Sequence, residues 1–274
     1  MNREEFINKR IHEHYDFIKD KYDVAYLGLQ GSQNYGLDIY DDDYKSDIDT
    51  KAIIIPSFED FVYNRTPISK TIVLENNEHI DVKDIRVMFD TFKKQNVNFI
   101  EILFTKYKII KYEYKDIIKI LLDNKEEIAH LNINQALRCM AGMSMEKLKA
   151  LQHPYPTIVD KINKYGYDPK QLHHILRMND FIKKYAAGKG YEECLIPDNK
   201  DYLIKIKKGI LSEKEAVELA IETDEETKKI KDQYVTENDE VKELPIQILD
   251  YAKFEILKRK FKKEILDKGE QKWK

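Results

Sequence analysis

Asp47-Ile48-Asp49 puts two carboxylates two positions apart, leading into the apolar run Ala52-Ile53-Ile54-Ile55. On a strand successive side chains alternate, so the two acids share one face of the sheet. Such a pair repels itself, each acid raising the other's pKa, and is stable when solvated, bonded to cations or holding a metal. Oxygen donors of this kind suit Mg²⁺, which takes one or two carboxylates and completes its shell with water and substrate phosphates. Asp81, in Ile80-Asp81-Val82, is the candidate third acid, on a strand expected to lie beside the first. With three acids two ions are expected, about 3.5 to 4 Å apart, one activating an attacking hydroxyl and the other stabilising a leaving pyrophosphate. In that division of labour Asp49 bridges the ions and Asp81 stands nearest the nucleophile. Asp84 is the alternative third carboxylate if the strand register slips by one.

Gly31-Ser32 stands where an apolar stretch gives way to the polar sequence Gln33-Asn34-Tyr35-Gly36. Backbone N–H groups at such a turn, with the Ser32 hydroxyl, can hold phosphate oxygens, and Gly31 lets a ligand approach the backbone closely. A Gly-Ser pair alone is an ordinary turn. Its meaning comes from the Asp-Ile-Asp that follows one loop later.

The elements that must position these groups are legible from periodicity. Phe6 to Asp20 has helical apolar spacing, Val24 to Leu29 reads as a strand, and a second strand runs Asp47 to Ile55, stopped by Pro56. Thr71 to Leu74 and Ile80 to Val82 read as a hairpin joined through Glu75-Asn76-Asn77-Glu78. Ile85 to Lys94 returns to helical spacing, and Phe99 to Phe104 is a short buried segment. Beyond about residue 115 amphipathic helices take over: Tyr114 to Ile128, Ile133 to Leu151, Pro169 to Ala187, Ser212 to Tyr234 and Leu244 to Leu266. Ser212 and Glu215 form a capping-box pattern. Lys258 to Lys274 is expected to be a solvated helix end that frays. The reading is α+β, with a catalytic domain at 1–130 and a helical domain at 131–274.

Charged residues make up 35% of the chain with a net charge of −3, a globular balance that gives no support to bulk nucleic-acid affinity. Cys139 and Cys194 lie far apart with no CxxC spacing, so neither zinc nor a disulfide framework is indicated. The N-terminus has no signal-peptide core and no stretch is apolar enough for a membrane helix, so a cytoplasmic, membrane-free protein is expected.

The residues also carry a resemblance. Leu29-Gln30-Gly31-Ser32, Asp47-Ile48-Asp49 and Ile80-Asp81-Val82 resemble the signature of the DNA polymerase beta-like nucleotidyltransferase superfamily: a Gly-Ser turn, an Asp-x-Asp strand and a third Asp on a later strand. Gly31-Ser32-Gln33-Asn34-Tyr35-Gly36 and Ser46-Asp47-Ile48-Asp49 are similar, more narrowly, to predicted bacterial and phage nucleotidyltransferases with Gly-Ser-x-x-Tyr-Gly and Ser-Asp-x-Asp motifs. Asn98 to Phe104 is similar to that group's Asn-x-x-x-Glu-x-Leu-Phe segment, and Pro169-Lys170, His174 and Arg177-Met178 to its Pro-Lys-x-x-x-His-x-x-Arg-Leu helix. The resemblance implies a mixed sheet with flanking helices followed by an all-helical region. It implies an enzyme that moves an NMP from an NTP such as ATP to a hydroxyl acceptor, using two Mg²⁺ or Mn²⁺ ions on Asp47, Asp49 and Asp81. Gly31, Ser32, Tyr35, Lys170, His174 and Arg177 would hold the nucleotide. Lys170, His174 and Arg177 fall at i, i+4 and i+7, one helical face, suited to a triphosphate.

Other residues have plainer readings. Asp41, Asp42 and Asp43 read as a solvated acidic loop, and an EF-hand from Asp41 fails because Ser46 and Ala52 stand where Gly and Glu are required. Glu101 is expected to bind a backbone amide or an Arg partner, His173 and His174 to cap or hydrogen-bond within a helix interface, and Tyr185 and Tyr191 to be core or interface residues. The acceptor is open among an RNA 3′ end, a protein side chain and a small alcohol. The competing function is a catalytically silent nucleotide-binding or protein-interaction module.

Overall fold

Helix α1 (Arg3–Lys19) opens the chain in the computed structural model, which describes residues 1–41, 45–156, 158–236 and 240–271. Asn2 caps the helix in a capping box with Glu5, and Ile7, Ile11, His14 and Ile18 recur at helical spacing on its buried side. The chain then builds a five-stranded sheet from β1 (Asp23–Gln30), β2 (Asp49–Ile55), β3 (Ser69–Val73), β4 (His79–Asp84) and β5 (Lys108–Ile110). Their spatial order is β3-β4-β2-β1-β5. β2 and β4 are parallel, and every other neighbouring pair is antiparallel, so the sheet is mixed. β3 and β4 form the expected hairpin, its turn passing through Asn77 with φ of 63°. β5 is a strand that the periodicity did not show; at three residues it is too short to display an alternation.

Alternation sorts β2 into two faces. Ile48, Ala52 and Ile54 join Ile80 and Val82 of β4, Leu27 and Leu29 of β1, and the isoleucines of α1 in one buried cluster. Lys51, one step out of phase, points to the other face. Gly28, the Cα partner of Lys51, has the Tyr26 ring where a side chain would go, 2.7 Å from an ideal Cβ, which any larger residue would displace.

The remaining helices of this region are α2 (Ser32–Tyr35), α3 (Phe58–Val62), α4 (Ile85–Lys93), α5 (Val97–Ile100), α6 (Lys115–Asp123) and α7 (Lys125–Ala129). The single helix expected over Tyr114 to Ile128 is in fact α6 and α7, broken at Asn124, whose side chain donates to the Ile120 carbonyl. Phe99 to Phe104 is the end of α5 and a 3₁₀ turn, Glu101–Leu103.

Six helices follow: α8 (Ile133–Ala150), α9 (Val159–Tyr165), α10 (Pro169–Ala186), α11 (Tyr191–Leu195), α12 (Lys200–Lys207) and α13 (Glu213–Tyr234), before the last, α14 (Glu243–Gln271). Pro169 occupies the first turn of α10 behind an Asp168 cap, and Ser212 and Glu215 close the expected capping box on α13. The architecture is therefore α+β, a mixed sheet with flanking helices followed by a helical region.

Contacts divide the chain into two units: 1–34, 46–131 and 242–274 form the first, and 35–45 with 132–241 the second. The sequence led us to expect 131–274 as one domain, whereas α14 packs with α6, α4, α3 and α7 of the first unit. Of the expected solvated end, Lys258 to Lys274, Phe261 packs edge-on against Phe58 and Lys260 pairs with Asp23, whereas 272–274 lie outside the described residues. In the second unit α10 is central, packed on α8, α11, α12 and α13. Tyr167, Leu172, Ile175, Ile206, Ala216 and Ala220 form a core there, and Tyr185 and Tyr191 are buried. Asp41 is exposed; Asp42 and Asp43 lie outside the described residues. Among the described residues no helix is long and apolar enough to cross a membrane.

Candidate active site

In the first unit the parallel ladder sets Lys51 opposite Asp81 and Thr50 opposite Ile80. Asp49, Lys51 and Asp81 thus share the face turned away from α1. Asp47 precedes β2 and is exposed, two residues before Asp49. Asp49 Oδ1 accepts the His79 backbone N–H at 2.9 Å and lies 3.0 Å from His79 Nδ1, so both contacts fall on one oxygen. His79, to which the sequence assigned nothing, orients this carboxylate. Asp81 is engaged on both oxygens, by Lys51 Nζ at 3.3 Å and by the Thr71 hydroxyl at 3.0 Å. Asp84 is settled by geometry: it caps α4 through the Arg86 N–H and pairs with the Arg86 guanidinium, and it lies on the face opposite Asp81.

Lys51 is a candidate site residue to which the sequence reading gave no role, although a lone Lys in the run Thr50 to Ile55 was visible. It is 4% exposed, with its ammonium 4.2 Å from the centre of the Phe99 ring. Burial lowers its pKa, while Asp81 and Glu101 act in the opposite sense. The oxygen donors are of the kind a hard divalent ion takes. Among the described residues, however, no group of three or more His, Cys, Asp or Glu side chains is gathered so that it could hold a metal.

Beneath the opposite face lies a buried network that no spacing announced. Glu78 Oε1 accepts the Ile48 N–H at 3.3 Å, and Oε2 is shared by His14 Nε2 at 2.9 Å and Arg10 at 2.6 Å. His14 Nδ1 meets the Thr50 hydroxyl at 2.9 Å. Burial alone would raise the Glu78 pKa, but hydrogen bonds with His14, Arg10 and Asn76 bring it down to about 2. The network grips the backbone at Ile48 and the side chain at Thr50, the residues that flank Asp49. Glu78 read as a turn residue because its neighbours are polar, and its partners come from α1, far away in sequence.

Gly31 adopts φ of 98°, a left-handed conformation that suits glycine, and turns β1 into α2. Its N–H donates to the buried Glu101 at 2.9 Å, as expected of a carboxylate in an apolar run. That amide, assigned to phosphate from sequence, therefore already carries an anion. Ser32 opens α2 half-buried, with no hydrogen bond to its hydroxyl among the described residues. Gln33 donates to the Asp47 carbonyl at 2.7 Å, which ties the turn to the Asp-Ile-Asp segment.

The remaining candidates lie in the second unit. Lys170 is exposed, His174 half-buried and Arg177 buried, along one side of α10. The Arg177 guanidinium stands 4.3 Å from the centre of the Tyr35 ring. His173 is more deeply buried than its neighbour and faces it edge-on at 5.3 Å. Neither His173 ring nitrogen has a hydrogen-bond partner, contrary to expectation.

No protein-family model matches the chain. No curated protein matches it either. Among solved structures it is similar to a nucleotidyltransferase-like protein from Exiguobacterium sibiricum 255-15, with 12% identity over 83% of this chain and 75% of that one and a TM-score of 0.32.

Proposed function

We propose that the chain is a nucleotidyltransferase that moves an NMP from an NTP to a hydroxyl acceptor and releases pyrophosphate. The observation that carries this reading is the presence of Asp49 and Asp81 on one face of adjacent parallel strands, beside Asp47 and a tethered Gly31-Ser32 turn. Asp47, Asp49 and Asp81 are the proposed ligands of two Mg²⁺ or Mn²⁺ ions. When bound, such ions supply the charge that activates a hydroxyl and stabilises a leaving pyrophosphate. The protein's own contribution is positional: His79 fixes one oxygen of Asp49, and Lys51 holds one oxygen of Asp81 in the place that an ion would take over. Ser32 offers its hydroxyl to a phosphate oxygen, Gly31, its own amide held by Glu101, lets the nucleotide approach the backbone closely, and Tyr35, Lys170, His174 and Arg177 complete the proposed nucleotide set. An RNA 3′ end, a protein or a small alcohol is the acceptor.

The test is transfer of α-labelled NTP to total RNA or cell lysate with and without Mg²⁺. Metal-dependent label in an acceptor, lost in Asp49→Asn, supports the reading; no label in any fraction removes it. A second reading, a nucleotide-binding module without turnover, draws on the engagement of both Asp81 oxygens by Lys51 and Thr71. Nucleotide binding without transfer would favour it.

A further inference from the structure

Buried charges are ordinarily paired, and buried polar atoms ordinarily find a hydrogen bond. Two side chains one turn apart on α10 break both rules. Arg177 is 6% exposed, and among the described residues its guanidinium makes no hydrogen bond and no ion pair; its contact is the face of Tyr35. His173 is 3% exposed and neither ring nitrogen has a partner. Spaced four residues apart, the two side chains stand on one side of the helix.

The charges around them have one sign. Burial holds the His173 imidazole neutral, its pKa down at about 3, and each charged group that acts on it, Arg177, Lys207 and Lys170, is a cation. His174 feels His173, Arg177, Lys170 and Lys147, again with no acid among them. A guanidinium held on an aromatic face, beside an imidazole with free ring nitrogens and within a field of lysines, is built for an anion with several oxygen acceptors.

We propose that His173 and Arg177, with Tyr35 as the platform for the guanidinium, form a phosphate-binding site in the second unit that works without a divalent ion. It takes the phosphate chain of a nucleotide or the pyrophosphate it releases, and in this respect rests on the nucleotidyltransferase reading. His173 is the new member of the site. The guanidinium fork donates to two phosphate oxygens, and the imidazole N–H donates to a third.

The experiment is calorimetric titration of the full chain with inorganic pyrophosphate, ATP, adenosine and acetate, all in EDTA. Wild-type protein is expected to bind pyrophosphate and ATP but neither adenosine nor acetate, with affinity at least tenfold weaker in Arg177→Met and in His173→Phe. Both variants should melt at or above the wild-type temperature, since each removes a buried polar group that lacks a partner. ATP binding without pyrophosphate binding would overturn a site for the phosphate chain, as would acetate binding as well as pyrophosphate. No binding in EDTA, unchanged affinity in both variants, or a lower melting temperature in both would also overturn the proposal. Failure of the transfer reading shows separately, as absent label transfer by a wild-type protein that still binds pyrophosphate.

Discussion

Lys51 and Asp81 are direct partners across the parallel β2–β4 ladder, their side chains meeting at 3.3 Å on the face that also carries Asp49. The ammonium thus occupies ground that a divalent ion on Asp81 would need. Lys51→Met should raise Mn²⁺ affinity about tenfold by removing that competing charge, as read by electron paramagnetic resonance of free Mn²⁺. Equal affinity in the two proteins would place the ion elsewhere.

The same pairing separates the acids in stability. Asp81→Asn leaves a buried ammonium without its counter-charge and should cost about 2–4 kcal/mol, most of it recovered in the Lys51→Met/Asp81→Asn double variant. Asp49→Asn keeps an oxygen for His79 and should cost less than about 1 kcal/mol. Denaturant unfolding of the four proteins checks the ordering.

Asp47→Asn and Asp49→Asn should each lower metal-dependent transfer by about a hundredfold or more while leaving the fold intact, since neither carboxylate is deeply buried. Initial rates beside circular dichroism read both quantities. Undiminished transfer in either variant would remove that residue from the mechanism.

Acid should weaken the first unit through Glu78. Its folded pKa of about 2 lies below the ordinary value of 4.5, so its stabilisation is fully present above about 4.5 and is lost as pH falls toward 2. Glu78→Gln should lower the melting temperature at pH 7 and flatten its fall between pH 4.5 and 2. Parallel melting curves for the two proteins across that range would exclude Glu78 as the source.

Ile256 of α14 is fully buried, and Ile256→Ala should destabilise the first unit by about 2–5 kcal/mol. A surface-like effect, under about 0.5 kcal/mol by urea unfolding, would contradict the packing of α14 in that unit.

Much of this architecture was legible because its signals are local. The apolar run that Pro56 ends, the Pro169 start of α10 and the Ser212-Glu215 box each depend on a few adjacent residues; the latter two lie where the sequence put them, and β2 begins at Asp49, two residues after the expected Asp47. Asp84 could not be told from Asp81 without a register, because a one-step slip exchanges the faces of β4. The Glu78–His14–Thr50 network joins α1, the hairpin turn and β2, so no window along the chain contains it. Glu101 in its apolar run called for a backbone amide or an Arg; that the partner is the Gly31 amide is a tertiary fact, and it changes which groups of the turn remain for phosphate.

The first unit closes only with the last segment of the chain. On the ribosome its sheet is made early, yet the helix that covers α4 and α6 appears after a further 110 or so residues have been added, a delay of roughly 5 to 20 s at ordinary elongation speeds. Only at the end of that interval does the second unit have its whole sequence to fold with, and until then the nascent sheet waits with an apolar flank uncovered. Synthesis that stalls within α13 would release a half-closed sheet, a natural client for chaperones and proteases.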